Sequence, residues 1–380
     1  MFDFDTPVDR TGSDSHKWQK YAGRDILPMW VADMDFRSPP AVMEALQQRV
    51  EHGVFGYGRP DPALTDAVLR HLLETYGWEV SPEWIVWLPG LVTGINVTVR
   101  TVGEQGSAVV THVPVYPPFL NAPALWQREL RTTPLIYDGR QWQMDWDQLQ
   151  SVLGHRTRLY LLCNPQNPTG RVFTRRELTA LAQICLEADL VVCADEIHCD
   201  LILTPEKRHI PFATLGPEVA ARTITLMAPS KTFNVPGLGC AFAIISDSGL
   251  RHRFKQAMAG IVPHVNVLGF AAARAAYASG GPWLKALLEY LRANRDLTTQ
   301  AINQMPGLHM GPVEGTYLAW IDTRSSSIEH PAPFFEAAGV GLSDGTGFGG
   351  PGFVRLNFGC NKGLLVEGLE RMAVVMAGVG

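Results

Sequence analysis

The sequence lacks the features that mark several specialised classes of protein. No apolar run approaches the roughly 18 residues of a membrane span, and the acidic first ten residues hold no hydrophobic segment of a signal peptide. Lysine and arginine total 32 against 37 aspartates and glutamates, so the net charge of −5 offers no basic surplus for a nucleic acid. We therefore expect a soluble, cytoplasmic protein with neither a nucleic-acid nor a membrane partner.

Cysteine is also scarce, with six residues and no C-x-x-C pair. Most of the cysteines stand in apolar stretches, which favours buried free thiols in a reducing compartment over a disulfide framework. The 36 glycines and 27 prolines follow no repeat, which excludes a collagen-like chain. What remains is ordinary globular composition in 380 residues, enough for two or three domains or for one large α/β core with an appendage.

Short apolar runs alternate with helical patterns between residues 80 and 246, which predicts parallel strands joined by crossover helices. The predicted strands are 85–88, 107–111, 159–163, 190–194, 223–228 and 240–245, with two more at 316–321 and 353–358. The predicted helices are 91–102, 174–188, 283–304 and 363–377, the second opening on a Thr174/Glu177 capping box. The fold class is therefore α/β, with a mostly parallel sheet in a large domain over 45–280. Residues 1–44 and 281–380 are predicted to form a small α+β domain from both chain ends.

Three polar clusters directly follow three of these predicted strands, at residues 164–170, 195–198 and 230–232. In open α/β sheets, ligands bind outside the carboxyl ends of the strands. The sequence distance between successive clusters leaves room for one crossover unit each time. The clusters thus predict one site at one edge of the sheet.

Two residues of these clusters point to a particular cofactor. Lys231 follows an apolar strand, and such a lysine has a lowered pKa and can bond to an aldehyde, whereas most lysines are simply surface residues. Asp195 ends a neighbouring strand, where it is either a turn or capping residue or the carboxylate that keeps a pyridine nitrogen protonated. Together the two match the requirements of a pyridoxal-phosphate site.

Other interpretations of the same clusters are weaker. Asp195, Glu196, His198 and Cys199 are all potential metal ligands, but side chains alternate along a strand and no second His/Cys cluster completes a site, so we predict no metal. The two Asn-Pro steps of 164–170 form a tight loop in which Asn167 can donate to the phenolic oxygen of the cofactor. Residues 90–94 lie between a strand and a helix start, where backbone N–H groups suit a phosphate.

Here the sequence resembles a known family. The segments Asn-Pro-Gln-Asn-Pro-Thr-Gly (164–170), Ala-Asp-Glu-Ile-His-Cys-Asp-Leu (194–201) and Ala-Pro-Ser-Lys-Thr-Phe-Asn-Val-Pro-Gly-Leu (228–238) resemble the class I/II aminotransferases with the type I pyridoxal-phosphate fold. Residues 28–36, 55–58 and 355–360 look most like the MalY/PatB branch, the cystathionine β-lyases or cysteine-S-conjugate β-lyases. The resemblance covers nearly the whole chain, from about residue 10 to the C-terminal helix.

The resemblance implies a role for each matching residue around the cofactor. Lys231 matches the lysine that bonds to the cofactor, Asp195 the partner of the ring nitrogen, and Asn167 the donor to the phenolic oxygen. His198 stands where many aminotransferases have tyrosine, and Tyr116, otherwise a core or turn residue, matches the aromatic ring that stacks on the cofactor. The phosphate-binding residues are Ser230, Val92, Thr93 and, from a partner subunit, Tyr57, which we also place with Lys231 in the catalytic set.

The substrate would be an amino acid held by its α-carboxylate. Arg355 matches the arginine that pairs with this carboxylate, with a purely structural arginine as the alternative. The backbone near Ala32, and Asn167, are expected to meet the same group. Since sites of this family lie between two subunits, the resemblance also implies a homodimer with shared active sites.

The implied activity is a carbon–sulfur β-lyase that converts L-cystathionine or related cysteine S-conjugates to pyruvate, ammonia and a thiol. An aminotransferase would share every residue named so far, because the two reactions separate only after the α-proton is removed. A non-catalytic pyridoxal-phosphate sensor is a third alternative, which the set Lys231, Asp195 and Arg355 disfavours. Gly239 stands where many aminotransferases bind phosphate with arginine, as is expected in this branch. Residues 314–317 and 359–361 depart from the commoner family pattern near the substrate entrance and leave open which sulfur amino acid is used. The sequence also leaves open a specialised biosynthetic role with a modified outcome such as decarboxylation.

Overall fold

The computed structural model describes residues 2–379 as helices packed around one large and two small sheets. The helices are α1 (His16–Gln19), α2 (Pro40–Glu51), α3 (Pro62–Tyr76), α4 (Leu91–Thr101), α5 (Pro117–Leu125), α6 (Trp146–Val152), α7 (Arg175–Glu187), α8 (Pro217–Ala221), α9 (Pro229–Thr232), α10 (Ser248–Met258), α11 (Val267–Ser279), α12 (Gly281–Gln304), α13 (Pro331–Ala337) and α14 (Lys362–Met376). The strands are β1 (Leu27–Pro28), β2 (Ile85–Leu88), β3 (Ala108–Val113), β4 (Glu129–Tyr137), β5 (Trp142–Met144), β6 (Thr157–Cys163), β7 (Val191–Asp195), β8 (Thr223–Met227), β9 (Ala241–Ile244), β10 (His309–Met310), β11 (Leu318–Asp322), β12 (Val340–Gly341), β13 (Ser343–Asp344) and β14 (Phe353–Asn357).

The large sheet has the strand order β2-β9-β8-β7-β6-β3-β4-β5. Its middle strands, from β8 to β4, pair in parallel, while β9 and β5 run antiparallel to their neighbours. Strands covered on both faces need apolar residues throughout, and every residue of β8 and of β9 is buried. The predicted mostly parallel α/β sheet is confirmed.

The predicted elements match the observed ones to within a few residues, and two strands of the large sheet were missed, as were four two-residue strands of the smaller sheets. The capping box of α7 is present, because the Thr174 hydroxyl accepts from the Glu177 N–H at 3.3 Å and the Glu177 carboxylate accepts from the Thr174 N–H at 2.7 Å. Strands β4 and β5, which extend the large sheet beyond β3, were not predicted. The cysteines are buried and free, as expected.

The two ends of the chain meet in the smaller sheets. Strand β1 pairs in parallel with β12, with Leu27 opposite Val340, and β10, β11, β14 and β13 form an antiparallel sheet. This arrangement agrees with a small unit built from both chain ends, although its boundaries near residues 45 and 280 stay a prediction. Within the described residues, no helix combines the length and the apolar character needed to cross a bilayer.

A buried group of charges anchors the N-terminal segment. The Asp35 carboxylate accepts from Lys17 Nζ at 2.6 Å, from an Arg10 guanidinium nitrogen at 2.6 Å and from the Trp18 indole at 3.0 Å. Burial by itself would raise the pKa of Asp35, but Lys17, Trp18 and Arg10 lower it below its ordinary value. These bonds join the segment around Asp35 to residues 10–18 of the N-terminal segment.

Candidate active site

The three polar clusters meet at the carboxyl ends of β6, β7 and β8, around a cavity of about 240 Å³. Every predicted site residue except Tyr57 and Thr93 lines this cavity. The lining comprises Val31, Ala32, Gly90, Leu91, Val92, Tyr116, Cys163, Asn167, Asp195, Ile197, His198, Ser230, Lys231, Pro236 and Arg355. Parallel strands bring these residues together because their carboxyl ends share one edge of the sheet.

Lys231 lies on α9, directly after β8, and reaches into the cavity. Its Nζ donates to the carbonyl oxygen of Ala32 at 2.5 Å. Burial lowers the pKa of Lys231 to about 8; Arg355 adds to this effect, while Asp33 and Asp195 oppose it. A substantial fraction of this amine is therefore neutral near pH 8, as a nucleophile or a base requires.

Asp195 ends β7 and is buried, and among the described residues only the Ile197 N–H donates to its carboxylate, at 3.1 Å. Burial raises the pKa of Asp195 to about 7. Within residues 2–379, no cationic side chain forms an ion pair with it. A buried carboxylate that lacks a cation fits a ligand that presents a protonated nitrogen, such as a pyridinium ring.

The carboxylate of the next residue, Glu196, lies outside the cavity. Glu196 accepts from the His209 ring at 2.8 Å and from the Phe212 N–H at 2.8 Å, on the side of the strand away from the cavity. The carboxylates of Asp195 and Glu196 therefore have separate environments, as strand alternation predicts.

His198 forms another polar part of the wall. Its Nδ1 is buried and has no hydrogen-bond partner within the described part of the chain. Burial, reinforced by the charges of Lys231 and Arg355, holds the pKa of His198 well below its ordinary value. The ring is thus neutral, and its unpaired nitrogen is available to a ligand.

Arg355, on β14, enters the cavity from the small sheet. Its guanidinium donates to Asn167 Oδ1 at 2.9 Å and to the Trp30 carbonyl at 2.8 Å, and Nε is buried without a partner among residues 2–379. Since the Asn167 oxygen is occupied, its NH₂ group remains as a donor toward the cavity. Burial lowers the pKa of Arg355 to about 10, so it stays cationic at neutral pH.

Residues 30–36, which we call the strap, run between Arg355 and Lys231 and pair with no strand of a sheet. Side chains from distant parts of the sequence occupy its carbonyl oxygens: Arg355 on Trp30, Asn357 on Val31 and Asp33, Lys231 and Tyr317 on Ala32, and Asn234 on Met34 and Phe36. In the described residues, the Ala32 N–H has no hydrogen-bond partner. The strap thus offers a fixed, unused donor at the cavity wall, which suits an anion.

The sequence of this chain matches a known protein family. Residues 24–372 match the family model described as aminotransferase class I and II. The chain belongs to this family. It is 38% identical over 386 residues to the cystathionine β-lyase PatB of Bacillus subtilis, a match that covers 98% of this chain and all of PatB.

Two crystal structures closely match the fold of this chain. That of OvoB has a TM-score of 0.98 and 47% identity, with both chains covered in full. That of cystalysin from Treponema denticola, which contains a pyridoxal 5′-phosphate cofactor, has a TM-score of 0.95 and 30% identity, covering 100% of this chain and 99% of cystalysin. The type I fold predicted from the sequence is confirmed.

Two residues that the family resemblance selected lie outside the cavity of their own chain. Tyr57 is fully exposed, in an irregular segment with the exposed Phe55 and Val54. Thr93 is half-buried in the first turn of α4, next to Val92. Their roles toward the phosphate stay predictions.

Sequence reasoning missed Tyr317, whose hydroxyl donates to the Ala32 carbonyl at 2.9 Å. The residue lies at the edge of a predicted strand, where its apolar neighbours indicate only a core position. The one available signal was the sequence Glu-Gly-Thr-Tyr at 314–317, which departs from the common family pattern but does not indicate a contact between Tyr317 and Ala32.

Proposed function

We propose that this protein is a pyridoxal-phosphate-dependent carbon–sulfur β-lyase, which cleaves L-cystathionine or related cysteine S-conjugates to pyruvate, ammonia and a thiol. The observation that carries the proposal is the convergence of a lysine amine, a cation-free carboxylate and a buried arginine in one small cavity. The full-length similarity to PatB favours a lyase over the other activities of the family. We place the enzyme in the cytoplasm.

The cavity residues fit pyridoxal 5′-phosphate in several respects. Lys231 would bond to its aldehyde carbon, Asp195 would hold its ring nitrogen protonated, and Asn167 would donate to its phenolic oxygen. Tyr116 would stack on the ring, and Ser230, Val92 and Thr93 would bind the phosphate near the N-terminus of α4. When bound, the cofactor supplies an electron sink for charge that develops at the substrate α carbon.

The remaining steps belong to the chain itself. Arg355 and the Ala32 N–H bind the substrate α-carboxylate and thereby fix the orientation of the α carbon. The Lys231 amine, once free, takes the α-proton, for which its lowered pKa suits it. The β carbon–sulfur bond then breaks, the sulfur leaves with the electron pair as a thiolate, and one water converts the three-carbon remainder to pyruvate and ammonia.

A product assay distinguishes this activity from its alternatives. The purified protein is incubated with L-cystathionine, with and without a keto acid, and pyruvate, free thiol and new amino acid are measured, with Lys231→Ala as the control. Equal amounts of pyruvate and thiol without a keto acid support the lyase. An amino acid formed only with the keto acid would instead identify an aminotransferase, and cofactor binding without product would identify a non-catalytic protein.

We further propose that the enzyme is a homodimer in which each subunit lends Tyr57 to the phosphate site of the other. The segment around Tyr57 exposes Val54 and Phe55 as well, and contiguous exposed apolar residues are typical of interaction surfaces. Tyr57 is fully exposed, and no residue of the described chain forms a hydrogen bond with its hydroxyl. A second subunit would cover this segment, and Tyr57 of each subunit would reach the phosphate site of the other.

A mixing experiment tests the shared site. Tyr57→Ala and Lys231→Ala are each expected to be nearly inactive as homodimers. A mixed dimer has one site with both lesions and one site with neither, so random reassortment should restore up to about a quarter of wild-type activity. The measurement is turnover before and after subunit exchange, with mixed dimers isolated by two affinity tags. Mixed dimers that stay inactive although both variants are folded would show that the site is not shared.

A further inference from the structure

The Ala32 carbonyl oxygen accepts two hydrogen bonds. Lys231 Nζ donates at 2.5 Å and the Tyr317 hydroxyl at 2.9 Å. A carbonyl oxygen has two lone pairs, so these two donors use its full capacity. Tyr317 is buried and is not among the residues that line the cavity. Its hydroxyl is linked to Lys231 through the shared Ala32 oxygen, and its ring packs edge-on against His198 of the cavity wall.

The backbone before Tyr317 is strained. Thr316 is a buried, β-branched residue with φ +71°, in the left-handed region that such residues rarely adopt. Its N–H donates to the Leu201 carbonyl at 2.9 Å, and its hydroxyl accepts from the Leu318 N–H at 3.2 Å. Strain of this kind persists where surrounding contacts impose it, and it is concentrated at functional sites. Here it sets the direction in which the Tyr317 ring leaves the backbone.

We propose that Tyr317 is a positioning residue, which holds the Ala32 carbonyl so that this carbonyl keeps the Lys231 amine in the place and neutral state needed for taking the substrate α-proton. The inference rests on the proposed function, because it assigns Tyr317 to the proton-transfer step of that reaction. It adds a residue that touches neither the substrate nor the cofactor.

Tyr317 affects the charge of Lys231 because both side chains donate to the same acceptor, the Ala32 carbonyl oxygen. The hydrogen end of the Tyr317 hydroxyl faces the same oxygen as Lys231 Nζ, which disfavours a positive charge on the amine. Asp33, Asp195 and Arg355 also act on the charge of this amine, and the His198 ring packs edge-on against the Tyr317 ring with 5.9 Å between ring centroids. The replacement Tyr317→Phe keeps these four side chains and the ring, and removes only the hydroxyl. Without the hydroxyl, the carbonyl would accept from the ammonium form alone, and Lys231 would hold its proton to higher pH.

The test compares Tyr317→Phe with Tyr290→Phe in the holoenzyme. Tyr290 is a matched control, because its hydroxyl also bonds within the chain, to Asp5 at 2.7 Å, but away from the cavity. For Tyr317→Phe we expect kcat to fall about tenfold, which is the upper range for one hydrogen bond, with KM within about threefold. The acid limb of the kcat–pH profile should move to higher pH, whereas Tyr290→Phe should leave kcat, KM and this limb unchanged.

A second measurement is independent of turnover. Reductive methylation of Lys231 in the cofactor-free full chain is followed by peptide mass spectrometry across pH, and its midpoint should rise in Tyr317→Phe. A raised midpoint in a chain that shows no lyase activity would refute the proposed function but retain the role of Tyr317. An unchanged midpoint together with unchanged kcat would overturn the inference.

If Tyr317→Phe does not fold, a substitution that keeps both the ring and the hydroxyl tests the same proposal. Fluorotyrosine incorporated at position 317 is a stronger donor of nearly the same size. It should shift the methylation midpoint of Lys231 to lower pH. A midpoint identical to that of the wild type would contradict the proposal.

Discussion

The Asp195→Asn variant is expected to retain some pyridoxal 5′-phosphate but to lose turnover by about 10²-fold or more, the range for removing one preorganised charge from an active site. An amide of the same shape fills the same buried position but cannot hold a pyridine nitrogen protonated. The chain offers no substitute, since Glu196 is engaged by His209 and Phe212 on the opposite side of the strand. The measurements are kcat with cystathionine and the absorbance of the bound cofactor.

Glu196→Gln is the matched control for Asp195→Asn. It makes the same chemical change at the next residue, but outside the cavity, and we expect it to affect thermal stability more than kcat. Near-normal turnover in a cofactor-loaded Asp195→Asn variant would contradict the role assigned to this carboxylate.

Arg355→Ala should raise KM for amino-acid substrates far more than it weakens cofactor binding. A guanidinium matches a carboxylate through two parallel hydrogen bonds. Removing one partner of such a buried charged pair typically costs about 2–5 kcal/mol, equivalent to roughly thirtyfold to several thousandfold in affinity. Arg355→Lys should restore only part of this affinity, because an ammonium is a point charge without the fork.

A structural role for Arg355 makes a different prediction. Its bonds to Asn167 and Trp30 could serve only to join the small sheet to the large one. In that case Arg355→Ala would lose stability, cofactor and activity together. A melting curve, an absorbance spectrum and KM on the same sample decide between these roles. Arg171→Lys is the control, since Arg171 is a buried arginine that pairs with Glu177 and Glu314 outside the cavity.

Much of the fold and of the cavity could be predicted from the sequence for two reasons. Buried parallel strands are continuous apolar runs, and the polar residues that directly follow them lie at the carboxyl ends of the strands, on one edge of the sheet. β7, with Asp195 at its end, shows both features. The missed strand β4 shows neither: it is polar at its start, only two of its nine residues are buried, and it contains Pro134, a residue that argues against a strand. Its place in the sheet comes from pairing with β3 and β5, which the local pattern does not contain.

Some contacts between residues far apart in the chain could not be predicted from the sequence either. Tyr317 and Ala32 are separated by 285 positions, and nothing near either residue indicates the other. Arg10, Lys17 and Asp35 form a cluster of charges that the local sequence pattern does not indicate. Such contacts depend on how the small sheet closes over the large one.

In the protein without its cofactor, Asp35 and Asp195 contribute to the pH dependence of stability in opposite directions. Asp35 has a lowered pKa, so its contribution to stability is present above the ordinary aspartate value and is lost as pH falls through its lowered pKa. Asp195 has a raised pKa, so the folded chain loses stability as pH rises from the ordinary value toward about 7. A cofactor that brings a cation to Asp195 would remove the second loss. Melting temperatures measured across pH, with and without pyridoxal 5′-phosphate, should therefore diverge increasingly above about pH 5, and two parallel curves would show that the Asp195 carboxylate gains no charged partner from the cofactor.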